Sequence, residues 1–158
     1  MKLYVISDTH GRIEKPLEVY DRLDGIDLIV HLGDVDQDIK PISEHTGKPV
    51  LTVRGNNEYS FCKTPEHEIL ETPYGKILLT HGHRDQVKLS LQGLLYRAAE
   101  LECIAVFYGH THLPHYEIID GIHVLNPGSL AIPFDGTLGS FAIVEISENE
   151  FSVSIQRY

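Results

Sequence analysis

Three short apolar runs in the first third of the chain each end in a polar cluster, and this repetition restricts the folds that the chain can adopt. The runs cover residues 2–7, 27–32 and 49–54, and segments with helical spacing, 14–23 and a proline-interrupted one ending near Glu44, separate them. Apolar strands joined by helical crossovers are typical of a parallel sheet that is covered on both faces. Ligands of such sheets bind beyond the carboxyl ends of the strands. The sequence therefore predicts a functional site where these runs end.

The rest of the chain predicts one long helix and several hairpins. A helix is expected over residues 89–102, because its apolar side chains recur at helical spacing and would face the core: Leu91, Leu94, Leu95, Ala98, Ala99 and Leu101. The predicted strands are residues 67–72, 76–80, 104–108, 116–119, 123–125, 140–146 and 151–156, with a loop at 126–129. The turns Pro73-Tyr74-Gly75 and Asp120-Gly121 favour hairpins. Parallel strands early and hairpins late predict an α/β fold of two packed sheets flanked by helices.

Size and charge limit the class of protein. The chain has 158 residues, which suits a single domain over residues 1–158, and its net charge of −10 disfavours binding of extended nucleic acid. No apolar run has the length of a membrane span, and the first residues lack the apolar core of a signal peptide, so we expect a cytoplasmic protein. Cys62 and Cys103 are far apart in the sequence and predict neither a disulfide nor a zinc site.

Seven side chains that could bind metal ions follow five of the predicted strands. They are Asp8, His10, Asp34, Asn56, His81, His110 and His112. A mixture of carboxylate, imidazole and amide donors suits Mn, Fe, Zn, Ni or Co better than magnesium or calcium alone. Two such ions about 3.5–4 Å apart can bind a phosphoryl oxygen and activate a bridging water. These donor types therefore match the hydrolysis of a phosphate ester.

Each of these residues also has an ordinary structural interpretation. Asp8 could cap a helix, and His10 or His81 could be a hydrogen-bonded loop histidine. Their joint placement at strand ends favours the metal interpretation. His110 and His112 leave a strand end in related directions but at different depths, so we assign them to different ions.

The ordered series Asp8-x-His10, Gly33-Asp34, Gly55-Asn56, His81 and Gly109-His110-x-His112 resembles the signature of calcineurin-like metallophosphoesterases. The chain is similar in particular to the small bacterial and archaeal phosphodiesterases, a group that includes retromer-subunit-like scaffold proteins. The resemblance runs from Asp8 to the Asn126-Pro127-Gly128-Ser129 loop.

This resemblance implies a four-layer α-β-β-α sandwich and a function for each member of the series. Asp8, His10 and His112 would bind one ion, Asn56, His81 and His110 would bind the other, and Asp34 would bridge both. The ions are expected to be divalent, with Mn first and Fe, Zn, Ni or Co as alternatives. A metal-bridging hydroxide would attack a small phosphoester substrate.

Two departures from the family pattern affect the expected substrate. Members with efficient monoesterase activity carry a histidine directly after the motif asparagine, and here that position is Asn57. An amide can donate a hydrogen bond but cannot act as a general acid near neutral pH. Residues 131–136 also lack the basic residue of many small members. We expect phosphodiesters or activated phosphomonoesters as substrates, with Asp34, Asn56, Asn57 and His110 as the catalytic residues.

Several nearby residues have two interpretations. His83 is expected to support the metal site, although it could be a solvated loop residue, and Glu58 could orient neighbouring groups or carry surface charge. Arg54 and Arg84 are the cations nearest to the motif residues in sequence, and exposed loop arginines are common. Tyr59 and Phe61 could line a substrate pocket or pack on the domain.

A second functional class also fits this fold. The chain could be a scaffold with a vestigial metal pocket whose surface binds a partner protein. The complete donor series favours catalysis over that alternative. A homo-oligomer is also possible.

Overall fold

The computed structural model describes residues 1–58, 63–134, 136 and 138–158. The hypotheses for Tyr59 and Phe61, and the positions of Cys62 and Asp135, lie outside the described residues. The strands are β1 (Lys2–Ile6), β2 (Leu28–His31), β3 (Val50–Thr52), β4 (His67–Glu71), β5 (Lys76–Thr80), β6 (Cys103–Phe107), β7 (Pro114–Ile119), β8 (Ile122–Pro127), β9 (Ser140–Ile146) and β10 (Phe151–Arg157). The helices are α1 (Glu14–Tyr20), α2 (Ile39–Thr46) and α3 (Gln92–Glu100), and a 3₁₀ turn covers Asp36–Asp38.

Two mixed five-stranded sheets form the centre of the fold, as the sequence predicted. The first has the order β10-β9-β1-β2-β3, in which β1, β2 and β3 are parallel and β9 is antiparallel to β1. The second has the order β4-β5-β6-β8-β7, in which β5, β6 and β8 are parallel. The parallel strands at the middle of each sheet send their carboxyl ends toward the same edge of the molecule. Polar loops follow these ends.

Alternate residues of β1 enter different cores, which explains the layering. Leu3 and Val5 pack between the two sheets together with Phe107 of β6, whereas Tyr4 and Ile6 pack on the opposite face with residues of α1 and α2. Because successive side chains of a strand point to opposite faces, a continuous apolar run can serve both cores. The second sheet repeats this arrangement with α3 on its outer face. The four layers are therefore α-β-β-α.

The predicted long helix is shorter than the apolar spacing suggested. The helix α3 begins only at Gln92, and Leu89, at 83% exposed, lies in the turn before it. Leu94 and Ala98 are fully buried against the sheet, but Ala99 and Leu101 are exposed, so their predicted place in the core was wrong. A nine-residue helix covers its sheet with one narrow stripe, and these two residues fall outside it.

The expected loop at residues 126–129 also differs from the structure. Asn126 and Pro127 belong to β8, where they pair with His115 and Pro114 of β7. Antiparallel pairing with β7 extends this strand beyond its apolar residues. None of the described helices has the length and apolar character needed to cross a membrane.

Candidate metal centre

The polar loops that follow the parallel strands are joined to one another by hydrogen bonds. The backbone N–H of Asp8 donates to the carbonyl of Gly33 (3.1 Å), which links the loops after β1 and β2. The N–H of Gly109 donates to the carbonyl of His81 (3.1 Å), which links the loops after β6 and β5. The Nδ1 of His81 lies 2.7 Å from the carbonyl of Leu32 and connects the two sheets. The donors predicted from sequence are thereby brought to one place.

Asp8 is fully buried at the centre of these joined loops. Its Oδ2 accepts hydrogen bonds from the Ser7 hydroxyl (2.6 Å) and the His110 backbone N–H (3.0 Å). Its Oδ1 accepts no hydrogen bond from the described residues, yet it lies 3.2 Å from the Nε2 of His112 and 3.9 Å from the Nε2 of His81. Burial alone would raise the pKa of Asp8, but these two imidazoles lower it below its ordinary value. Asp8 therefore carries a negative charge aimed at imidazole nitrogens.

The second carboxylate, Asp34, lies between two histidines and one amide. Its Oδ1 accepts the backbone N–H of Asn57 (2.9 Å), and its Oδ2 accepts the Asn57 side-chain amide (2.6 Å). The same Oδ2 is 3.5 Å from the Nε2 of His81 and 3.9 Å from the Nε2 of His10. Against the effect of burial, His81 and the hydrogen bonds from Asn57 hold the pKa of Asp34 well below its usual range.

Two of the histidines are oriented by backbone carbonyls. His81 Nδ1 donates to Leu32 (2.7 Å) and His112 Nδ1 donates to Ile132 (2.7 Å). In a neutral imidazole with a protonated Nδ1, the Nε2 carries the lone pair. Metal-binding histidines commonly use a hydrogen bond of this kind to fix the ring and its tautomer. Both Nε2 atoms here face the carboxylates.

The donor atoms fit metal ions better than they fit one another. The Nε2 of His112 and the Nε2 of His10 are 3.4 Å apart, and the Oδ1 of Asn56 lies 3.2 Å from the Nε2 of His81. With the Nδ1 of His81 as the donor to Leu32, the contact of a neutral His81 with Asn56 brings two lone pairs together, and a cation between these atoms would turn repulsion into attraction. In the absence of metal, protons would do this instead. Although burial opposes it, Asp34 raises the pKa of His81 and Asp8 raises the pKa of His112.

Two groups of donors are close enough to hold an ion each. Asp8, His10 and His112 form one group and Asp8, Asp34 and His81 form the other, and the ligand atoms of each group lie within 4.8 Å of one another. In this geometry Asp8 is common to both groups. Asp34 also reaches both, because its Oδ2 faces His10 as well as His81.

Two further predicted donors complete the surroundings of His81. The ring of His110 lies 5.1 Å from the ring of His81, between centroids, and the exposed Asn56 presents its side-chain oxygen to His81. Burial, together with the charges of His81 and Lys88, lowers the pKa of His110 to about 4, so this imidazole is neutral at pH 7. A neutral imidazole is the form that binds a metal.

Five of the seven predicted donors have a left-handed backbone. The φ angles are 56° at Asp8, 49° at His10, 52° at Asp34, 67° at His110 and 59° at His112. This region is sparsely populated by residues other than glycine, and such strain concentrates at functional sites. The sequence pattern does not reveal this conformation.

Two motif glycines explain how the loops approach so closely. A Cβ on Gly55 would collide with the side chain of Asp34, and a Cβ on Gly109 would collide with the hydroxyl of Ser7. Both positions therefore need glycine, because a larger residue would not fit. Gly55 leaves space for the carboxylate of Asp34, and Gly109 leaves space for the Ser7 hydroxyl that donates to Asp8.

A buried network below the first loop was missed by sequence reasoning. His31 is fully buried, and its Nε2 lies 2.9 Å from the Thr9 hydroxyl, which donates to Oδ2 of Asp38 (2.5 Å). The same Asp38 oxygen accepts the N–H of Gly11 (2.9 Å). This network holds residues 9–11, so it supports the position of His10. A histidine inside an apolar strand run was the available signal.

The remaining residues near the motifs have different surroundings. Glu58 accepts the backbone N–H of Asp34 (2.9 Å), so it orients the loop that carries this carboxylate. The ring of His83 lies 5.4 Å from the ring of His81, between centroids, which agrees with a supporting role. Arg84 pairs with Glu66 (2.7 Å).

Residues 1–149 match the model of the calcineurin-like phosphoesterase superfamily domain. The chain belongs to this superfamily. Among its relatives, the probable metallophosphoesterase YsnB of Bacillus subtilis is 33% identical, with coverage of 97% of this chain and 89% of the relative. Phosphodiesterase YfcE of Escherichia coli is 30% identical, with coverage of 92% and 88%.

A solved structure agrees with the fold of this chain. Wild-type Vps29 of Entamoeba histolytica in complex with Zn²⁺ superimposes with a TM-score of 0.82 at 25% identity, covering 100% of this chain and 98% of that chain. The predicted family and fold class are therefore confirmed, and candidate metal-binding residues lie where the parallel strands end.

Proposed function

We propose that this protein uses two divalent metal ions to hydrolyse phosphodiesters and activated phosphomonoesters. The observation that carries the proposal is the buried Oδ1 of Asp8, which accepts no hydrogen bond from the described residues while two imidazole nitrogens face it. A buried carboxylate oxygen without a hydrogen bond is costly unless a cation compensates it. Family membership and the phosphodiesterase name of the E. coli relative support the choice of reaction.

The proposed ligand sets are those that the resemblance to the metallophosphoesterase family implies. Asp8, His10 and His112 would hold one ion, whereas Asn56, His81 and His110 would hold the other, and Asp34 would contact both. When bound, two such ions would supply an activated water nucleophile and neutralise charge on the phosphoryl oxygens. We favour Mn, with Fe, Zn, Ni and Co as alternatives, and the Zn²⁺-bound Vps29 supports the donor types.

The residues of this chain would then position the charges around the phosphate. Asn57 donates two hydrogen bonds to Asp34, which fixes both oxygens of this carboxylate. The Asn57 amide is engaged in this contact and has no titrating proton to give to a leaving group. We therefore place Asn57 in the site as a group that orients Asp34. The lack of an acid at this position favours leaving groups that depart as stable anions.

Several finer features belong to the same proposal. The substrate would be a small phosphoester rather than extended nucleic acid. The net charge of −10 repels a polyanion wherever it extends over the protein surface beyond the metal ions. The chain would act as one domain over residues 1–158 in the cytoplasm, with homo-oligomerisation as an open prediction.

The proposal is tested by removing and restoring the metal. Protein treated with a chelator should not hydrolyse bis(4-nitrophenyl) phosphate, and Mn²⁺ should restore the activity. The variant Asp24→Asn, an exposed carboxylate change, should behave like the wild type, and Asp34→Asn should stay inactive. Absence of hydrolysis with Mn²⁺, Zn²⁺, Ni²⁺, Co²⁺ and Fe²⁺ in the wild type would contradict the proposal and favour a scaffold with a vestigial site.

A further inference from the structure

An apolar groove of about 660 Å³ lies beside the proposed metal centre. Its walls include Leu91 from the turn before α3, Tyr108 from the end of β6, Leu113, and Phe134 from the segment after Ser129. A single lysine, Lys88, is among its lining residues. A concave apolar site of this size with few polar groups is typical of small-molecule binding.

The groove is continuous with the metal centre. The ring of Phe134 stacks on the ring of His112, with centroids 4.4 Å apart and an angle of 20° between the planes. Thr111, which separates His110 from His112 in the chain, also lines the groove. A phosphate held by the proposed metal ions would therefore have one ester group directly beside these walls.

The groove exposes apolar surface that a substrate could cover. Phe134 is 61% exposed and Leu113 is 43% exposed. An exposed ring face attracts a flat aromatic group by stacking, and aliphatic neighbours bury its edge. Lys88 brings positive charge to the same place, because it lines the groove next to these apolar walls. In a chain of net charge −10, this cation is suited to an anionic ligand.

We infer that this groove binds an aromatic ester group of the phosphodiester substrate, stacked on Phe134, while Lys88 attracts the negative charge of the phosphate. The inference rests on the proposed function, since it assumes that the phosphate lies at the metal centre. It names a substrate class: diesters with at least one flat apolar group are preferred over diesters with small alkyl groups.

Binding of two phosphonates to the Zn²⁺-loaded protein tests the inference without turnover. Phenylphosphonate and methylphosphonate share the anionic group and differ only in the organic group. Calorimetry should give phenylphosphonate about tenfold tighter binding, because the groove removes most of the ring from water. Amide resonances of Thr111 and Leu113 should move with phenylphosphonate and much less with methylphosphonate.

Variants of the groove locate the preference. Phe134→Ala and, further from the metal loops, Leu91→Ala should each reduce the tenfold ratio to about twofold while methylphosphonate binding is retained. The matched control is Ile118→Ala, which removes an exposed apolar side chain of β7 outside the groove and should leave the ratio unchanged. Lys88→Met should weaken both phosphonates by about threefold and keep their ratio.

The outcomes separate this inference from the proposed function. Equal binding of the two phosphonates by the wild type, or a ratio that the groove variants do not change, would overturn the groove inference alone. If neither phosphonate binds the Zn²⁺-loaded wild type, the proposed function fails and the inference fails with it. If Lys88→Met binds both phosphonates as tightly as the wild type does, Lys88 does not contribute to the site.

Discussion

The proposed metal centre is buried and polar, whereas the groove beside it is exposed and apolar. At the centre, Asp8 and His81 are fully buried and Asp34 is 1% exposed, and hydrogen bonds from several loops hold them. At the groove, Phe134 and Leu113 expose about half of their surface. His112 connects the two regions, because it donates to a backbone carbonyl on one side and stacks on Phe134 on the other.

The two regions would therefore have different roles in the reaction. Buried charges without solvent need several hydrogen bonds to keep their positions, so the centre has little freedom to vary. Exposed apolar walls tolerate changes of shape, so the groove can alter the preferred substrate without disturbing the donors. Changes at the centre should abolish the reaction, and changes at the groove should alter only its preference.

The largest effect is expected from Asp34→Asn. An amide cannot replace a carboxylate that is proposed to contact both ions, so hydrolysis of bis(4-nitrophenyl) phosphate should fall by about a thousandfold or more. His83→Ala should cost tenfold at most, since the His83 ring lies beside the rings of His81 and His110 but is not one of the proposed ligands. Initial rates in saturating Mn²⁺ compare the two variants. Equal residual rates would contradict a shared role for Asp34.

The buried His31 should make the metal-free protein sensitive to acid. Burial lowers the pKa of His31 to about 4, although Asp38 and Asp8 oppose this, whereas an unfolded histidine titrates near 6.5. Below pH 6.5 the unfolded chain binds a proton that the folded chain does not, so stability from this group is present at pH 7 and is lost as the pH falls. Between pH 7 and pH 4.5 the loss should be about 2–3 kcal/mol.

The variant His31→Gln isolates this contribution, because glutamine keeps a donor and an acceptor without titrating. The difference in the free energy of unfolding between wild type and variant, measured with urea, should shrink as the pH falls. Other titrating groups are common to both proteins and cancel. A difference that stays constant from pH 7 to pH 4.5 would contradict the assignment.

Thr9→Val should give a smaller effect in the same network. The variant leaves Asp38 and His31 without their shared hydroxyl, which should cost about 1–3 kcal/mol of unfolding free energy. The loop carrying His10 should loosen as well, and the affinity for Mn²⁺ should fall about tenfold. Thr46→Val, which removes a hydroxyl bound within α2, is the control and should leave the affinity unchanged. Equal metal affinities of both variants would separate the network from the site.

The smallest effect is expected from Asn57→His. A histidine here could protonate a poor leaving group, so the ratio of monoesterase to diesterase activity should rise by about threefold to tenfold. The backbone N–H that binds Asp34 is retained in this variant. Rates with 4-nitrophenyl phosphate and bis(4-nitrophenyl) phosphate give the ratio. An unchanged ratio would show that the missing acid does not limit the reaction.

The sequence predicted the centre better than the groove for a physical reason. Strand ends carry Asp8, Asp34 and His81 to one edge because parallel strands share a direction, and the apolar runs were sufficient to recognise that topology. Phe134 reaches His112 only because the chain folds back over the loop after β6. No local pattern encodes that approach, and Lys88 was missed for the same reason.

Other features depended on packing that a one-dimensional pattern does not contain. Apolar spacing overestimated the helix at residues 89–102, because Ala99 and Leu101 have helical spacing but are exposed and not packed against the sheet. The positive φ angles at Asp8 and His110 arise from the close approach of the loops. Intrinsic secondary-structure propensity predicts neither the extent of this helix nor these φ angles, since both are set by tertiary contacts.

Whether this edge of the sheets holds two metal ions can be measured by titrating Zn²⁺ into the metal-free protein in a calorimeter. We expect two ions per chain for the wild type and a loss of tight binding at both sites for Asp34→Asn. A stoichiometry of one ion or none in the wild type would contradict this expectation.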